Sequence, residues 1–136
     1  MNQNLVLVVE DDRDMRDLLS FALESAGYQV VAARDGAAAA RILRVAKPIA
    51  VITDVLMAGM NGMDLCRLVR RTSDAAILMI SSNAHEYDIA AGLGAGADRY
   101  LPKPFTRREV VAALHDAIAD RCQTVTSSDP VSVAAP

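Results

Sequence analysis

Five short runs rich in Val, Leu, Ile and Ala recur along the chain at intervals of about twenty residues: Leu5–Val9, Gln29–Ala33, Ile49–Thr53, Ile77–Ile80 and Arg99–Leu101. Each has the length and side chains of a strand, while the segments between them carry helical periodicity. In the first such segment Met15, Leu18, Leu19, Ala22 and Ala26 fall at helical spacing, and Gly27 stands where a helix would end. The second is an alanine-rich stretch, Ala37–Val45, with Asp35 as N-cap and Pro48 as stop. The third puts Leu65, Leu68 and Val69 on one face. The fourth, around Glu86–Ala95, has the weakest pattern because Gly92 and Gly94 lower its helix propensity. The fifth opens on a capping box, Thr106-Arg107-Arg108-Glu109, and turns Val110, Val111, Leu114 and Ile118 inward.

Regular alternation of strand and helix predicts an α/β fold: a doubly wound, five-stranded parallel sheet with helices on both faces. The first and third runs are continuously apolar, as strands covered on both sides are. Residues 1–122 are expected to form one domain. Residues 123–136, with Thr, Ser, Asp, Pro and Ala in no periodic order, are expected to be a disordered C-terminal tail.

Composition excludes several classes. The net charge is −3, the fourteen basic residues are dispersed, and there is no Trp, so direct nucleic-acid binding is not expected. No apolar run reaches the roughly 18 residues of a membrane span, and the start has no signal-peptide pattern, so a cytoplasmic location is expected with no membrane contact. Cys66 and Cys122 lack C-x-x-C spacing and read as structural thiols. His85 and His115 read as surface residues; Met57, Met60 and Met63 read as loop and core packing.

In an open α/β sheet, ligands bind beyond the carboxyl ends of the strands. Glu10, Asp11 and Asp12 follow the first run, Asp54 ends the third, Ser81 ends the fourth and Lys103 lies just past the fifth. Three carboxylates in one crevice repel unless a cation joins them. A hard divalent ion suits oxygen donors, and Mg²⁺ suits them best when only one or two carboxylates and a phosphate oxygen are to be held. Lys103 and the Ser81 hydroxyl could take further phosphoryl oxygens, and Asp54, at the end of a buried strand, is placed for in-line attack that gives an aspartyl phosphate. Asp12 reads as a helix cap rather than a third ligand.

The segments Val8-Val9-Glu10-Asp11-Asp12, Thr53-Asp54-Val55-Leu56-Met57, Met60-Asn61-Gly62, Ile80-Ser81 and Gly96-Ala97-Asp98-Arg99-Tyr100-Leu101-Pro102-Lys103-Pro104-Phe105 resemble bacterial two-component receiver domains of the chemotaxis type, over roughly residues 4 to 121. The resemblance implies a flavodoxin-like sheet of order 2-1-3-4-5 and a Mg²⁺-dependent transfer of phosphoryl from a phosphohistidine partner to Asp54. It implies Asp11 as a direct Mg²⁺ ligand, Glu10 as a ligand through water, Asp54 and the Leu56 backbone carbonyl in the same shell, and Ser81 and Lys103 on the phosphoryl oxygens. Tyr100 would be the switch aromatic acting on the face made by the fourth helix, fifth strand and fifth helix. Lys103-Pro104 would be cis. Leu56 and Asn83 would tune the phosphoryl lifetime. The implied partners are a sensor histidine kinase or histidine phosphotransfer protein, then an effector protein or a C-terminal output domain, with a phosphorylation-dependent homodimer as a further expectation. The chain departs from the family pattern at Ala58, usually proline, at Ser82, usually alanine, at Gly94, and in a short Asp54–Ser81 interval.

Such a domain is a signalling switch, not an enzyme acting on a substrate. An aspartate-nucleophile phosphatase would carry a second Asp two residues after the nucleophile, where this chain has Leu56. A receiver serving only as an interaction module would not need the acidic set. A nucleotide or flavin binder would have glycines after the first strand in place of acids.

Overall fold

The computed structural model describes residues 4–55, 61–82 and 93–127, the last five by backbone alone. Strands β1 (Leu5–Val9), β2 (Gln29–Ala33), β3 (Ala50–Asp54), β4 (Ala76–Ser81) and β5 (Arg99–Pro102) form one parallel sheet of order β2-β1-β3-β4-β5. Helices α1 (Arg13–Ser25), α2 (Gly36–Val45), α3 (Gly62–Thr72) and α4 (Arg107–Ser127) complete the described elements. The predicted helix around Glu86–Ala95 lies mostly outside the described residues, so the last helix is α4 here.

Two layers of core follow from the period of two along each strand. Val6, Val8, Ala50, Ile52, Leu78 and Ile80 meet Leu19, Ala22 and Leu23 of α1 and Val110, Leu114 and Ala117 of α4. Leu7, Val9, Val51, Ile77 and Met79 point the other way, onto Ala39 of α2 and Leu65, Cys66 and Val69 of α3. Each of these side chains, when fully buried, contributes about 1.5–3 kcal/mol if it is Val-sized or larger. In α1 the buried stripe is Leu19, Ala22 and Leu23, while Leu18 remains 40% exposed at its edge.

The helix starts follow their cap residues. Asp12 accepts from the Met15 amide at 2.8 Å and Asp35 from the Ala38 amide at 2.7 Å. The capping box closes in both directions: the Thr106 amide donates to Glu109 Oε1 at 2.8 Å, and the Glu109 amide to Thr106 Oγ1 at 3.1 Å. Gly27, with φ of +100°, provides the left-handed turn out of α1.

Several strand and helix limits shift by a single residue from expectation, and two limits matter here. The third strand takes in Asp54, which pairs with Ile80, and the ladder continues with the Val55 amide donating to the Ile80 carbonyl at 3.0 Å. The last helix runs through Ser127, so the boundary expected between residues 122 and 123 falls inside it. No Gly or Pro interrupts the chain between Arg107 and Pro130, and polar Thr and Ser side chains do not by themselves end a helix. Residues 128–136 lie outside the described residues. Among the described residues, no helix is long and apolar enough to cross a membrane.

The two thiols occupy opposite environments. Cys66 is buried under α3, and burial pushes its thiol up to about 11, whereas Cys122 is exposed. A thiol reagent at mildly alkaline pH is expected to titrate one cysteine in the folded protein and both after unfolding in denaturant. Two fast-reacting thiols in the native protein would contradict this packing of α3.

Candidate functional site

The carboxyl ends of β1, β3, β4 and β5 bring four polar residues into one crevice. Glu10 leaves β1 fully buried, Asp54 ends β3 at 6% exposure, Ser81 ends β4 fully buried, and Lys103 follows β5. A continuous sheet delivers them, because each polar residue sits next to strand residues locked by the ladder.

Lys103 joins the two buried acids. Its ammonium Nζ donates to Glu10 Oε1 at 3.0 Å and to Asp54 Oδ2 at 2.6 Å. The Lys103 amide donates to the Ser81 carbonyl at 2.8 Å, so the end of β4 holds the lysine's main chain in place. The Lys103-Pro104 bond is cis, as expected. Ser81 is buried within β4 and Ser82 is exposed outside it, which separates the two adjacent hydroxyls.

Glu10 is held at every polar atom. Its amide donates to the Ala33 carbonyl at 3.0 Å, and its Oε2 accepts from the Asp12 amide at 3.2 Å. Its carbonyl accepts from Arg16 Nη1 at 3.0 Å. Burial pushes the Glu10 carboxyl above its ordinary range; the neighbouring Asp11 and Asp54 carboxyls push the same way, and Lys103 and the Asp12 amide only partly offset them. For Lys103, burial alone would favour the neutral amine, but its bonds to Asp54 and Glu10 outweigh it and raise its pKa, so the ammonium is kept charged.

Asp11 is exposed at the crevice rim, its carboxyl against that of Glu10. Asp12 caps α1 with its side chain, which removes it from the candidate ligands. Tyr100, half-buried in β5, packs on the α2–α3 side of the sheet with Met79, Val55 and Met63 in the same cluster. Leu56 and Asn83 lie outside the described residues, as do Met57, Met60 and His85; His115 is exposed on α4.

The donor set fits a hard divalent cation. If Glu10, Asp11 and Asp54 are all ionised, the single ammonium of Lys103 leaves two negative charges uncompensated in a site where two of the acids are buried. Among the described residues no group of three or more acidic, His or Cys side chains stands close enough to hold a metal ion by itself. That is compatible with an ion such as Mg²⁺, which keeps much of its water and takes few protein ligands.

Three neighbours of the crevice, the adjacent pair Asn61 and Gly62 and the more distant Arg16, were not assigned roles from sequence. Asn61 caps α3 by accepting from the Asp64 amide at 2.9 Å, and Gly62 donates its amide to the Val55 carbonyl at 3.0 Å. A Cβ on Gly62 would stand 2.8 Å from Val55 Cα and closer still to the Asp54 carbonyl oxygen, neither of which can rotate away. The signal was present as an Asn-Gly pair before an amphipathic helix. Gly62→Ala is therefore expected to displace the backbone after Asp54, lowering stability by about 1–3 kcal/mol in urea unfolding. Unchanged stability would mean that this close approach is unimportant. The third neighbour, Arg16, ties α1 to the Glu10 carbonyl.

Comparison with known proteins bears on the family and the fold. Residues 6–115 match the model of the response regulator receiver domain. The chain is 36% identical over 107 residues to the DNA-binding response regulator MtrA of Mycobacterium tuberculosis, an alignment covering 79% of this chain and 47% of that protein. MtrA of Mycobacterium leprae gives the same identity, with 48% of that protein covered, so the chain spans about half the length of these curated relatives. The chemotaxis response regulator CheY4 of Vibrio cholerae superposes with a TM-score of 0.80 at 30% identity, covering 85% of this chain and 98% of that one. A signal receiver domain of a histidine kinase from Syntrophus aciditrophicus gives 0.77 at 28% identity, with 85% and 90% covered.

Proposed function

This chain belongs to the response regulator receiver family, signalling domains rather than conventional enzymes, and on that premise we propose that it accepts a phosphoryl group on Asp54 from a phosphohistidine partner. The observation that carries the reading is the Lys103 ammonium, held between Asp54 Oδ2 and Glu10 Oε1 at the carboxyl edge of the sheet. An Asp54 carboxylate oxygen attacks phosphorus in line. The P–N bond of phosphohistidine breaks, and its electron pair returns to the imidazole, which takes a proton from solvent. Lys103 then exchanges its carboxylate contacts for a phosphoryl oxygen, and Ser81 moves to donate to another. Asp11 and Asp54 would hold Mg²⁺ directly and Glu10 through water, with the Leu56 carbonyl in the same shell. Bound there, Mg²⁺ supplies positive charge to the phosphoryl oxygens as the transition state forms.

The only chemistry in this reading is the chain's own phosphorylation and dephosphorylation. The donor is a sensor histidine kinase or histidine phosphotransfer protein, in the cytoplasm. The output passes through an effector protein or an output domain, and MtrA, a DNA-binding regulator of which the alignment covers 47%, is one example of the latter arrangement among relatives. Ser81 and Tyr100 carry the change toward the face around β5, a population shift driven by contacts that the phosphoryl group makes in one state only.

A labelled, autophosphorylated histidine kinase domain mixed with the chain and Mg²⁺ tests the proposal. Label is expected to pass to the chain, to be released by hydroxylamine as an acyl phosphate is, and not to transfer with chelator present. With beryllofluoride and Mg²⁺, the Tyr100 amide is expected to shift in NMR spectra, and Ser81→Ala to blunt that shift. Hydroxylamine-stable label would place the group on something other than a carboxylate.

A further inference from the structure

Asp11, the acid proposed as a direct ligand, has an exposed side chain, so its direction depends on the two peptide groups beside it. The Arg16 side chain holds the first of them: its guanidinium Nη1 donates to the Glu10 carbonyl at 3.0 Å, which fixes the peptide plane entering Asp11. The peptide leaving Asp11 is held by the Asp12 amide, which donates to Glu10 Oε2 at 3.2 Å. The Arg16 amide makes only the ordinary first backbone bond of α1, to the Asp12 carbonyl at 2.9 Å. Arg16 is half-buried along that turn, and its side chain reaches back over six residues to do this. Met15 and Leu19 of the same helix pack into the core, so the anchor is itself anchored.

We propose that Arg16 is a positioning residue for the cation site: it fixes the Glu10–Asp11 peptide so that the Asp11 carboxylate is presented to the metal. The proposal rests on the reading of the crevice as a Mg²⁺ site. It opposes the simplest electrostatic expectation. A guanidinium beside an acidic pocket repels a divalent cation, so its removal should strengthen binding if charge were its only influence. If positioning governs, removal weakens binding, because groups that orient metal ligands are commonly worth tenfold to a hundredfold in affinity. The two effects differ in sign.

The experiment is a Mg²⁺ titration of the parent chain, Arg16→Ala and Arg16→Lys, read by calorimetry and by amide NMR shifts. Urea unfolding without metal confirms that each variant is folded. Arg16→Ala is expected to bind Mg²⁺ about tenfold more weakly than the parent, with metal-free amide shifts confined to residues 10–12 and the start of α1. Arg16→Lys, which keeps a donor on a long stem, is expected to recover part of the loss. Equal or tighter binding by a folded Arg16→Ala overturns the positioning role. Should that variant not fold, parental affinity in Arg16→Lys together with unchanged amides at Glu10 and Asp11 overturns it instead. A parent chain that binds no Mg²⁺ overturns the reading of the site, and this inference with it.

Discussion

Lys103→Met is expected to lower the rate of Asp54 phosphorylation by about 10²–10³ while leaving Mg²⁺ binding no weaker than in the parent. The two halves of that result have one cause. In the metal-free protein the ammonium occupies Glu10 Oε1 at 3.0 Å and Asp54 Oδ2 at 2.6 Å, the oxygens that face the crevice. A cation entering must share those oxygens with it, so the methionine removes a competitor. In the proposed transfer the same ammonium is the charge available to a phosphoryl oxygen, and methionine has none to offer. Stability should fall as well. Breaking a buried ion pair by removing one partner costs about 3–5 kcal/mol, and the one-fifth exposure of Lys103 points to the lower end of that range. The deficit should depend on pH in a definite direction. Glu10 already has a carboxyl pushed above its ordinary range, and loss of Lys103 pushes it further. An acid raised on folding costs stability once pH rises above its unfolded value, so the variant should lie closest to the parent in acid and fall away towards neutrality. Denaturation curves at several pH values, with phosphorylation rates at neutrality, measure both effects. A variant that phosphorylates normally would remove Lys103 from the chemistry.

Much of this site was legible because its parts are local. Glu10, Asp11, Asp54, Ser81 and Lys103 each follow an apolar run, and a parallel sheet brings the ends of such runs to one edge whatever the loops between them do. The caps at Asp12, Asp35 and Thr106 are likewise three-residue patterns, and each is made as read. What escaped was long-range. Arg70 on α3 donates to the Ala75 carbonyl at 2.6 Å, the Gly96 carbonyl at 2.9 Å and Asp98 Oδ2 at 2.6 Å, and the same Asp98 oxygen accepts from the Ile77 amide at 2.8 Å. This clamp joins α3 to the starts of β4 and β5, at the edge of the sheet away from the crevice. Gly96 belongs to it, since its φ is +115° and a Cβ there would meet the Arg70 side chain at 2.6 Å. An arginine at the exposed end of a helical stripe gives no sign, in sequence alone, of partners more than twenty residues away. Arg16 escaped for a related reason: its helical position is plain, but its direction, back toward β1, depends on the path of the loop. Asp54 was read at the end of the third strand, and pairing with Ile80 keeps it in the ladder. That placement bears on the proposed function, because a nucleophile fixed by the sheet need not be ordered at the moment of transfer.

The central claim is that Asp54 is the single acceptor. It stands 6% exposed at the end of β3, against the Lys103 ammonium, in register with Ile80. Asp54→Asn keeps the shape of the side chain, retains an oxygen that Lys103 can bond, and removes only the nucleophilic carboxylate. Glu10 and Asp11 remain, as do Ser81 and every other hydroxyl, so any alternative acceptor stays available. The variant is expected to fold, with the Lys103 contact to Glu10 preserved. The measurement is intact mass after incubation with acetyl phosphate and Mg²⁺, for the parent, the parent with chelator, and Asp54→Asn. One added phosphoryl group on the parent and none in the other two samples is the predicted result; a phosphoryl group retained by Asp54→Asn would contradict it.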